Sequence, residues 1–249
     1  MTSASCPHAR IAAVPSTIHS IAENLARVRE RVSRAAQRAG RHVNDITLVA
    51  VSKTFPADAI RAGYDAGLRH FGENRVQEMD AKRPKLTDLN ATWHFIGHLQ
   101  SNKARHAVQL FDRIDAIDSL SIAQKLDAAA RDHGKRLPVL IEVHLGGEAT
   151  KGGVEPGGVP ELAESVDLLA SLNLCGLMAV PPYSDDPERV RAYFRHLREL
   201  RDSLSQRLGR QFPTLSMGMS HDFEVAIEEG ATEIRVGTAL FGTRPQKGA

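Results

Sequence analysis

The chain has 249 residues, 42% of them hydrophobic and 25% charged, which suits one large α/β domain or two small ones. A formal net charge of +2 and an aromatic content of 5% argue against binding to a nucleic-acid backbone and against a base-stacking surface. The two cysteines are isolated and no apolar stretch approaches about 20 residues, so we predict a cytoplasmic protein without disulfides or membrane spans.

Residues 1–15 mix serine, alanine, proline and histidine without a period, which predicts a flexible tail that carries no secretory signal. A helix is expected from residue 16, because hydrophobic residues recur there at helical spacing: Ile18, Ile21, Leu25, Val28 and Val32. Gly40 stands where a C-terminal cap belongs, so this helix should end close to it.

Short apolar runs of strand type follow, each succeeded by a longer helical pattern. The predicted strands are 47–52, 69–72, 93–97, 113–117, 139–145, 174–180, 214–217 and 233–236. The predicted helices between them are 57–66, 75–82, 102–110, 121–133, 160–171, 186–208 and 222–229. This alternation predicts a single (β/α)8 barrel over residues 16–245. A doubly wound open sheet is the alternative, but no G-x-G-x-x-G follows the first strand.

Lys53 is the first candidate functional residue, since it follows the first strand at the end where barrels place their sites. Side chains alternate along a strand, so Val49, Val51 and Lys53 share one face. If the two valines point into the barrel, Lys53 points into its mouth, where partial desolvation favours the neutral, nucleophilic amine. The alternative is an ordinary exposed lysine at a strand end.

The eighth strand places Arg235 on the same face as Glu233 and Gly237. An arginine inside a barrel is costly unless it meets an anion or an acceptor, so a structural ion pair and a ligand contact are both possible interpretations. Gly237 and Thr238 then open a short helical turn whose backbone N–H groups can bind phosphate.

The loop after the seventh strand supplies Ser220, whose hydroxyl faces a phosphate or caps the next helix, and Asp222, a further capping candidate. A lysine nucleophile, a phosphate nest and an inward arginine at one mouth match what pyridoxal phosphate requires.

Other polar residues are weaker candidates. His94 and His98 lie about 13 Å apart along a strand, too far to share a metal ion, and no metal site is predicted. Glu73 and Glu78 are plausible acids, although capping and surface roles are expected for them. The glycine-rich segment 146–158 is either a cover over the mouth or a long connection.

Several longer strings resemble the pyridoxal phosphate homeostasis protein family. They are LVAVSKT (48–54), FGENRVQE (71–78), WHFIGHLQSNK (93–103), GLM (176–178), LSMGMS (215–220) and IRVGTALFG (234–242). The similarity runs from about residue 18 to residue 244, and the strings keep their order along the chain. One departure is His144, where the family usually has asparagine after Val143.

The resemblance implies a barrel related to the N-terminal domain of alanine racemases. It implies that Lys53 holds pyridoxal 5′-phosphate as an internal Schiff base, that Arg235 faces the ring nitrogen and that Asn74 lies near the cofactor. The phosphate is expected on Ser220, Gly237 and Thr238.

The residues expected around the pyridine ring of pyridoxal phosphate distinguish an enzyme from a carrier. A guanidinium only donates hydrogen bonds, so the nitrogen facing Arg235 should stay unprotonated and the ring should be a poor electron sink. Racemases compensate with a tyrosine from a second domain, and here the barrel ends close to Ala249. We therefore expect a monomeric carrier that delivers the cofactor to apoenzymes. A weak amino-acid racemase and a barrel enzyme acting on a phosphorylated sugar remain the alternatives.

Overall fold

The computed structural model describes residues 16–146 and 152–243, and within these ranges eight parallel strands close into one barrel. The strands are β1 (Thr47–Val51), β2 (His70–Glu73), β3 (Thr92–Phe95), β4 (Arg113–Ile117), β5 (Leu137–Val143), β6 (Leu172–Ala179), β7 (Thr214–Ser216) and β8 (Glu233–Val236). Each strand pairs with the next along the chain, and β8 pairs with β1. The predicted (β/α)8 barrel is confirmed, and this last pairing excludes an open sheet.

Helices follow the strands on the outside of the barrel. They are α1 (Ser16–Arg38), α2 (Ala57–Asp65), α3 (Val76–Lys82), α4 (Ala104–Leu110), α5 (Leu120–Asp132), α6 (Val159–Asp167), α7 (Arg191–Leu208), α8 (Phe223–Glu228) and α9 (Thr238–Phe241). Helices α4 and α7 begin later than predicted, because separate 3-10 turns over Ser101–Lys103 and Pro187–Val190 precede them, and α6 ends at Asp167, earlier than predicted.

The main hydrophobic core lies between the strands and the helices. Outward side chains of β2 and β3 meet there, with the Phe71 and Trp93 rings stacked at a centroid distance of 5.4 Å. Phe95 packs edge-on against Phe111 with a centroid distance of 5.2 Å. Because this layer takes up the large apolar side chains, the inward positions of the same strands are left for smaller and polar residues.

Helix α1 covers the seam of the barrel and supports its last helix. The buried face of α1 includes Leu25 and Val28. The side-chain amide of Asn24 donates to the Leu240 carbonyl at 2.8 Å. Arg31 pairs with Glu224 of α8 at 2.8 Å. The predicted N-terminal helix is therefore confirmed, and it braces α9 at the barrel mouth.

Some predictions fall on residues outside the described ranges. The expected tail over residues 1–15 and the middle of the 146–158 segment, residues 147–151, are among them. Among the described residues, no helix has the length and apolar character that a membrane span requires.

Candidate functional site at the barrel mouth

Lys53 lies two residues after Val51, the last residue of β1, and is half-buried at the carboxyl end of the barrel. It stands in a tight turn that the Phe55 N–H closes on the Ser52 carbonyl at 3.1 Å. Thr54, the next residue in the turn, has φ +71°, a left-handed conformation that is strained for a β-branched side chain. Lys53 therefore lies in a tight hydrogen-bonded turn, at the end of the barrel where (β/α)8 proteins place their functional residues.

Arg235 crosses the barrel interior from β8, and only 3% of its surface is exposed. Its Nη1 donates to Ser216 Oγ at 2.6 Å and its Nη2 to the Ala179 carbonyl of β6 at 2.8 Å. Burial lowers the pKa of Arg235, while the carboxylates of Glu233 and Asp115 oppose that shift. The inward direction predicted for this arginine is correct, and its guanidinium is fixed by two neighbouring strands.

Ser220 and the start of α9 form a small polar cradle beside Lys53. The Ser220 hydroxyl accepts the Gly237 N–H at 3.2 Å and the Ala239 N–H at 3.3 Å. Thr238 is exposed next to these groups, and a Cβ on Gly237 would lie 3.3 Å from the Val51 carbonyl of β1. The cradle therefore adjoins the strand that carries Lys53.

The prediction that the side chain of Ser220 or Asp222 caps the helix after β7 is wrong. Helix α8 begins after Asp222, but no side-chain hydrogen bond caps it. The Asp222 carboxylate instead accepts the Met219 N–H at 2.6 Å, and the Ser220 hydroxyl faces the cradle. Gly218 has φ +92°, and a Cβ there would lie 2.6 Å from the Ala226 Cβ, so this turn requires glycine.

Asn74 directly follows β2 at the same mouth and is half-buried. Its backbone approaches β3 so closely that a Cβ on Gly97 would lie 2.5 Å from the Asn74 carbonyl oxygen. Any larger residue at Gly97 would push the two strand ends apart, so the glycine determines where Asn74 lies. The structure thus brings Asn74 to the mouth with Lys53, Arg235 and the cradle.

The opposite wall of the mouth is acidic. Burial raises the pKa of Glu142, against the opposing effect of Arg235. His98 meets Asp118 at 2.8 Å between Nδ1 and Oδ2, and both lie near Gly152. Val154 pairs with Val143, so the described part of the 146–158 segment returns along the end of β5. This observation favours the cover interpretation for that part.

A second group of polar residues fills the barrel below Arg235, and sequence reasoning missed it. His94 Nδ1 lies 2.8 Å from Asp115 Oδ2, and Arg113 Nε lies 2.7 Å from Asp115 Oδ1. Although burial opposes ionisation, His94 and Arg113 lower the pKa of Asp115 to about 2. Glu233 joins this cluster, with its Oε2 3.9 Å from His94 Nδ1. Arg113 pairs with both carboxylates, with its Nη2 3.4 Å from Glu233 Oε2, and Arg235 supplies a second buried cation, so we interpret the cluster as a polar core.

His70 extends this cluster toward solvent and predicts a pH effect. Its Nδ1 lies 3.1 Å from His94 Nε2, and burial together with the His94 and Arg113 charges lowers its pKa from 6.5 to about 4. The unfolded chain therefore takes up this proton first, so stability should fall as pH drops from about 6.5 and level off below about 4. The expected contribution is about 1 kcal/mol, because solvent screens the half-buried ring.

Urea unfolding of wild type and His70→Gln between pH 7 and pH 4 measures this contribution. The variant should lose less stability on acidification, whereas His133→Gln, a change at an exposed histidine, should follow wild type. Equal slopes for wild type and His70→Gln would contradict the assignment.

Glu73 does not have the surface role expected for it. Its side chain is fully buried, and its Oε1 contacts both Ser52 Oγ and Lys82 Nζ at 2.7 Å. The alternation of inward and outward positions along β2 was the available signal, because it puts Glu73 on the same face as buried Phe71. No spacing rule, however, indicates that Lys82 of α3 reaches it.

Comparisons with known proteins agree on one family. The model for the alanine racemase N-terminal domain matches residues 23–245. A pyridoxal phosphate homeostasis protein of Aquifex aeolicus is 50% identical over 222 residues, 89% of this chain and 97% of the relative. A Pseudomonas aeruginosa protein of the same name is 48% identical over 225 residues, 90% of this chain and 96% of the relative.

A solved structure extends the likeness to three dimensions. PipY of Synechococcus elongatus, solved with pyridoxal phosphate bound, is 41% identical, and it superposes with a TM-score of 0.80 over 89% of this chain and 100% of its own. The chain therefore belongs to the pyridoxal phosphate homeostasis protein family, on the fold of the alanine racemase N-terminal domain.

Proposed function

We propose that this chain binds pyridoxal 5′-phosphate at the barrel mouth, as a Schiff base on Lys53, and acts in the homeostasis of that cofactor. The names of its relatives and the bound cofactor of PipY support this function. The observation that carries the proposal is that Lys53, the Arg235 guanidinium and the Ser220–Gly237 cradle follow or belong to adjoining strands, since β8 pairs with both β1 and β7.

The residues at the barrel mouth fit the phosphate and the ring of pyridoxal phosphate. The Ser220 hydroxyl oxygen accepts the Gly237 and Ala239 N–H groups, which leaves its own O–H to donate to a phosphate at the start of α9, and Thr238 stands exposed beside it to add a second hydroxyl. Arg235 is held rigidly to donate to a ring nitrogen, and Asn74 adds an amide at the other side of the mouth. When bound, pyridoxal phosphate supplies an aldehyde and an electron-withdrawing ring.

We propose carriage rather than catalysis. A guanidinium only donates hydrogen bonds, so Arg235 offers the ring nitrogen no proton and leaves the ring a weak electron sink. Tyr183, which follows β6, is 72% exposed, and its hydroxyl donates to Asp185 at 3.1 Å. Lys53 then acts as a tether for a reactive aldehyde. The racemase-type fold keeps a weak racemase as the second candidate.

The proposed function implies binding partners and a cellular location. The partners would be pyridoxal phosphate itself and the apoenzymes that receive it, and the protein would work as a monomer in the cytoplasm, where its sparse cysteines stay reduced.

Cofactor transfer tests the function. Holoprotein and an equal concentration of free pyridoxal phosphate are each mixed with a pyridoxal-phosphate-dependent apoenzyme, and reactivation is followed over time. Faster or more complete reactivation by the holoprotein is expected. Incubation with single-enantiomer amino acids is the second arm, and turnover that is lost in Lys53→Ala would favour the racemase.

Ser220→Ala tests the cradle. The variant removes the hydroxyl that accepts the Gly237 and Ala239 N–H groups and, by proposal, contacts the phosphate. We expect about tenfold weaker binding of pyridoxal phosphate, the usual effect of losing a hydrogen bond to a charged group. Binding of pyridoxal, which lacks the phosphate, should change little. Equal weakening for both compounds would contradict a phosphate role.

A further inference from the structure

The residues on both sides of Lys53 are held by one buried ammonium. Lys82 of α3 is only 8% exposed, and its Nζ donates to the Ser52 carbonyl at 3.1 Å. The same Nζ lies 2.7 Å from Glu73 Oε1 and 2.7 Å from Glu78 Oε1. An ammonium has three donors, and these three acceptors use them all. We call Ser52, Glu73, Glu78 and Lys82 the Lys82 network.

Before Lys53, the network fixes Ser52 through both its side chain and its carbonyl. Ser52 is fully buried, and its hydroxyl donates to Glu73 Oε1 at 2.7 Å while its carbonyl accepts Lys82. Ser52 N–H also pairs with the Gly72 carbonyl at 3.0 Å, which continues the β1–β2 ladder. The last residue ahead of Lys53 therefore has no freedom to rotate.

After Lys53, the network fixes Thr54. Its N–H donates to Glu78 Oε1 at 2.5 Å, the same oxygen that accepts Lys82. This bond opposes the relaxation of Thr54 from its left-handed φ of +71°, a conformation that costs energy for threonine. A charged acceptor supported by a buried ammonium is the strongest kind of hydrogen-bond partner for that N–H.

Burying this much charge is a poor route to stability, because desolvation offsets the attraction between the ions. Glu73 Oε2 is buried with no hydrogen-bond partner among the described residues, which adds to that cost. Well-packed apolar side chains would stabilise this junction between β1, β2 and α3 as effectively. The Lys82 network therefore contributes more to the geometry of the turn at residues 52–55 than to the stability of the fold.

We propose that Lys82, Glu73 and Glu78 are positioning residues that set the direction of the Lys53 amine by locking Ser52 and Thr54. This inference rests on the proposed function and adds three residues to its site. Preorganisation of the turn spares the loss of backbone freedom on binding, so it should raise affinity and speed bond formation.

Two variants and one matched control test the proposal. Lys82→Met removes the ammonium at similar length, and Glu78→Ala is the milder change, since that side chain is 23% exposed. Glu228→Ala is the control, because Glu228 is 21% exposed, pairs with Arg38 and Arg191 at 2.7 Å, and lies at the far end of α8 from the Ser220 loop.

Three readouts are measured on each protein. They are amide hydrogen exchange of residues 52–55 in the cofactor-free protein, the affinity and rate of Schiff-base formation with pyridoxal phosphate, and the pH midpoint of the Schiff-base absorbance. We expect Lys82→Met and Glu78→Ala to speed exchange at Thr54, to weaken binding about tenfold and to move the pH midpoint. Glu228→Ala should match wild type in all three, whatever its melting temperature.

A purely structural network would give a different result. Lower melting temperatures with unchanged affinity and pH midpoint in both variants would overturn the positioning role. If Lys82→Met does not fold, Glu78→Ala decides the outcome. If wild type forms no Schiff base, the proposed function fails, whereas unchanged exchange at Thr54 would refute the locking of the turn by itself.

Discussion

Replacing Lys53 with alanine is expected to abolish the Schiff-base absorbance and to weaken retention of pyridoxal phosphate at least about a hundredfold, or about 2.7 kcal/mol. The covalent bond should account for most of the retention, because the phosphate and ring contacts alone are a few hydrogen bonds. Absorbance after reconstitution and gel filtration, with and without borohydride, measures both effects. Folding stability should barely change, since Lys53 is half-buried at a strand end.

Two further variants separate the covalent bond from electrostatic attraction. Lys53→Arg keeps the positive charge but cannot form the bond, because a guanidinium does not deprotonate, so it should resemble the alanine variant. Lys125→Ala, a change at an exposed lysine of α5, should behave as wild type. A borohydride-reduced adduct that maps by mass spectrometry to any lysine other than Lys53 would contradict the assignment.

Arg235→Leu is expected to have the second largest effect, on both stability and binding. It leaves the Ala179 carbonyl and the Ser216 hydroxyl without their donor and removes the cation that faces buried carboxylates. Breaking such a buried charge contact costs about 3–5 kcal/mol of unfolding free energy. Pyridoxal phosphate should bind at least about tenfold more weakly, because the ring nitrogen loses its donor.

The pH dependence of the unfolding free energy of Arg235→Leu tests whether the lost charge causes the stability deficit. Burial raises the pKa of Glu142 and Arg235 opposes that rise, so without the Arg235 charge Glu142 is harder to ionise, and the stability deficit should shrink as pH falls toward 5 and Glu142 takes up a proton. Arg235→Lys should recover part of the stability, since it restores the charge without the planar fork. Wild-type affinity in folded Arg235→Leu would exclude Arg235 as a ring contact.

Much of the fold was predictable because its signals are local. Strand-type runs and helical periodicity alternate over short stretches, and only the ends differ, as where Pro187 begins a 3-10 turn ahead of α7. The inward direction of Arg235 was predictable for a similar reason, since side chains alternate along any strand. The cradle was predicted from its position after β8, where barrels often bind phosphate.

The pairing of Glu73 with Lys82 and the core cluster around His94 could not be predicted in this way. Each depends on which residue of a distant element comes within about 3 Å, and the spacing along one strand carries no information about that. Ser220 shows the same limit, because its hydroxyl serves the start of α9 rather than the adjacent helix.

The sequence by itself thus determined that Lys53 follows the first strand at a barrel mouth, since local periodicity sets where strands lie. Only the tertiary structure decided how that lysine is held. The closure of β8 on β1 brings the cradle beside it, and the packing of α3 on β2 brings Lys82 beneath it, both through contacts between residues far apart in the chain.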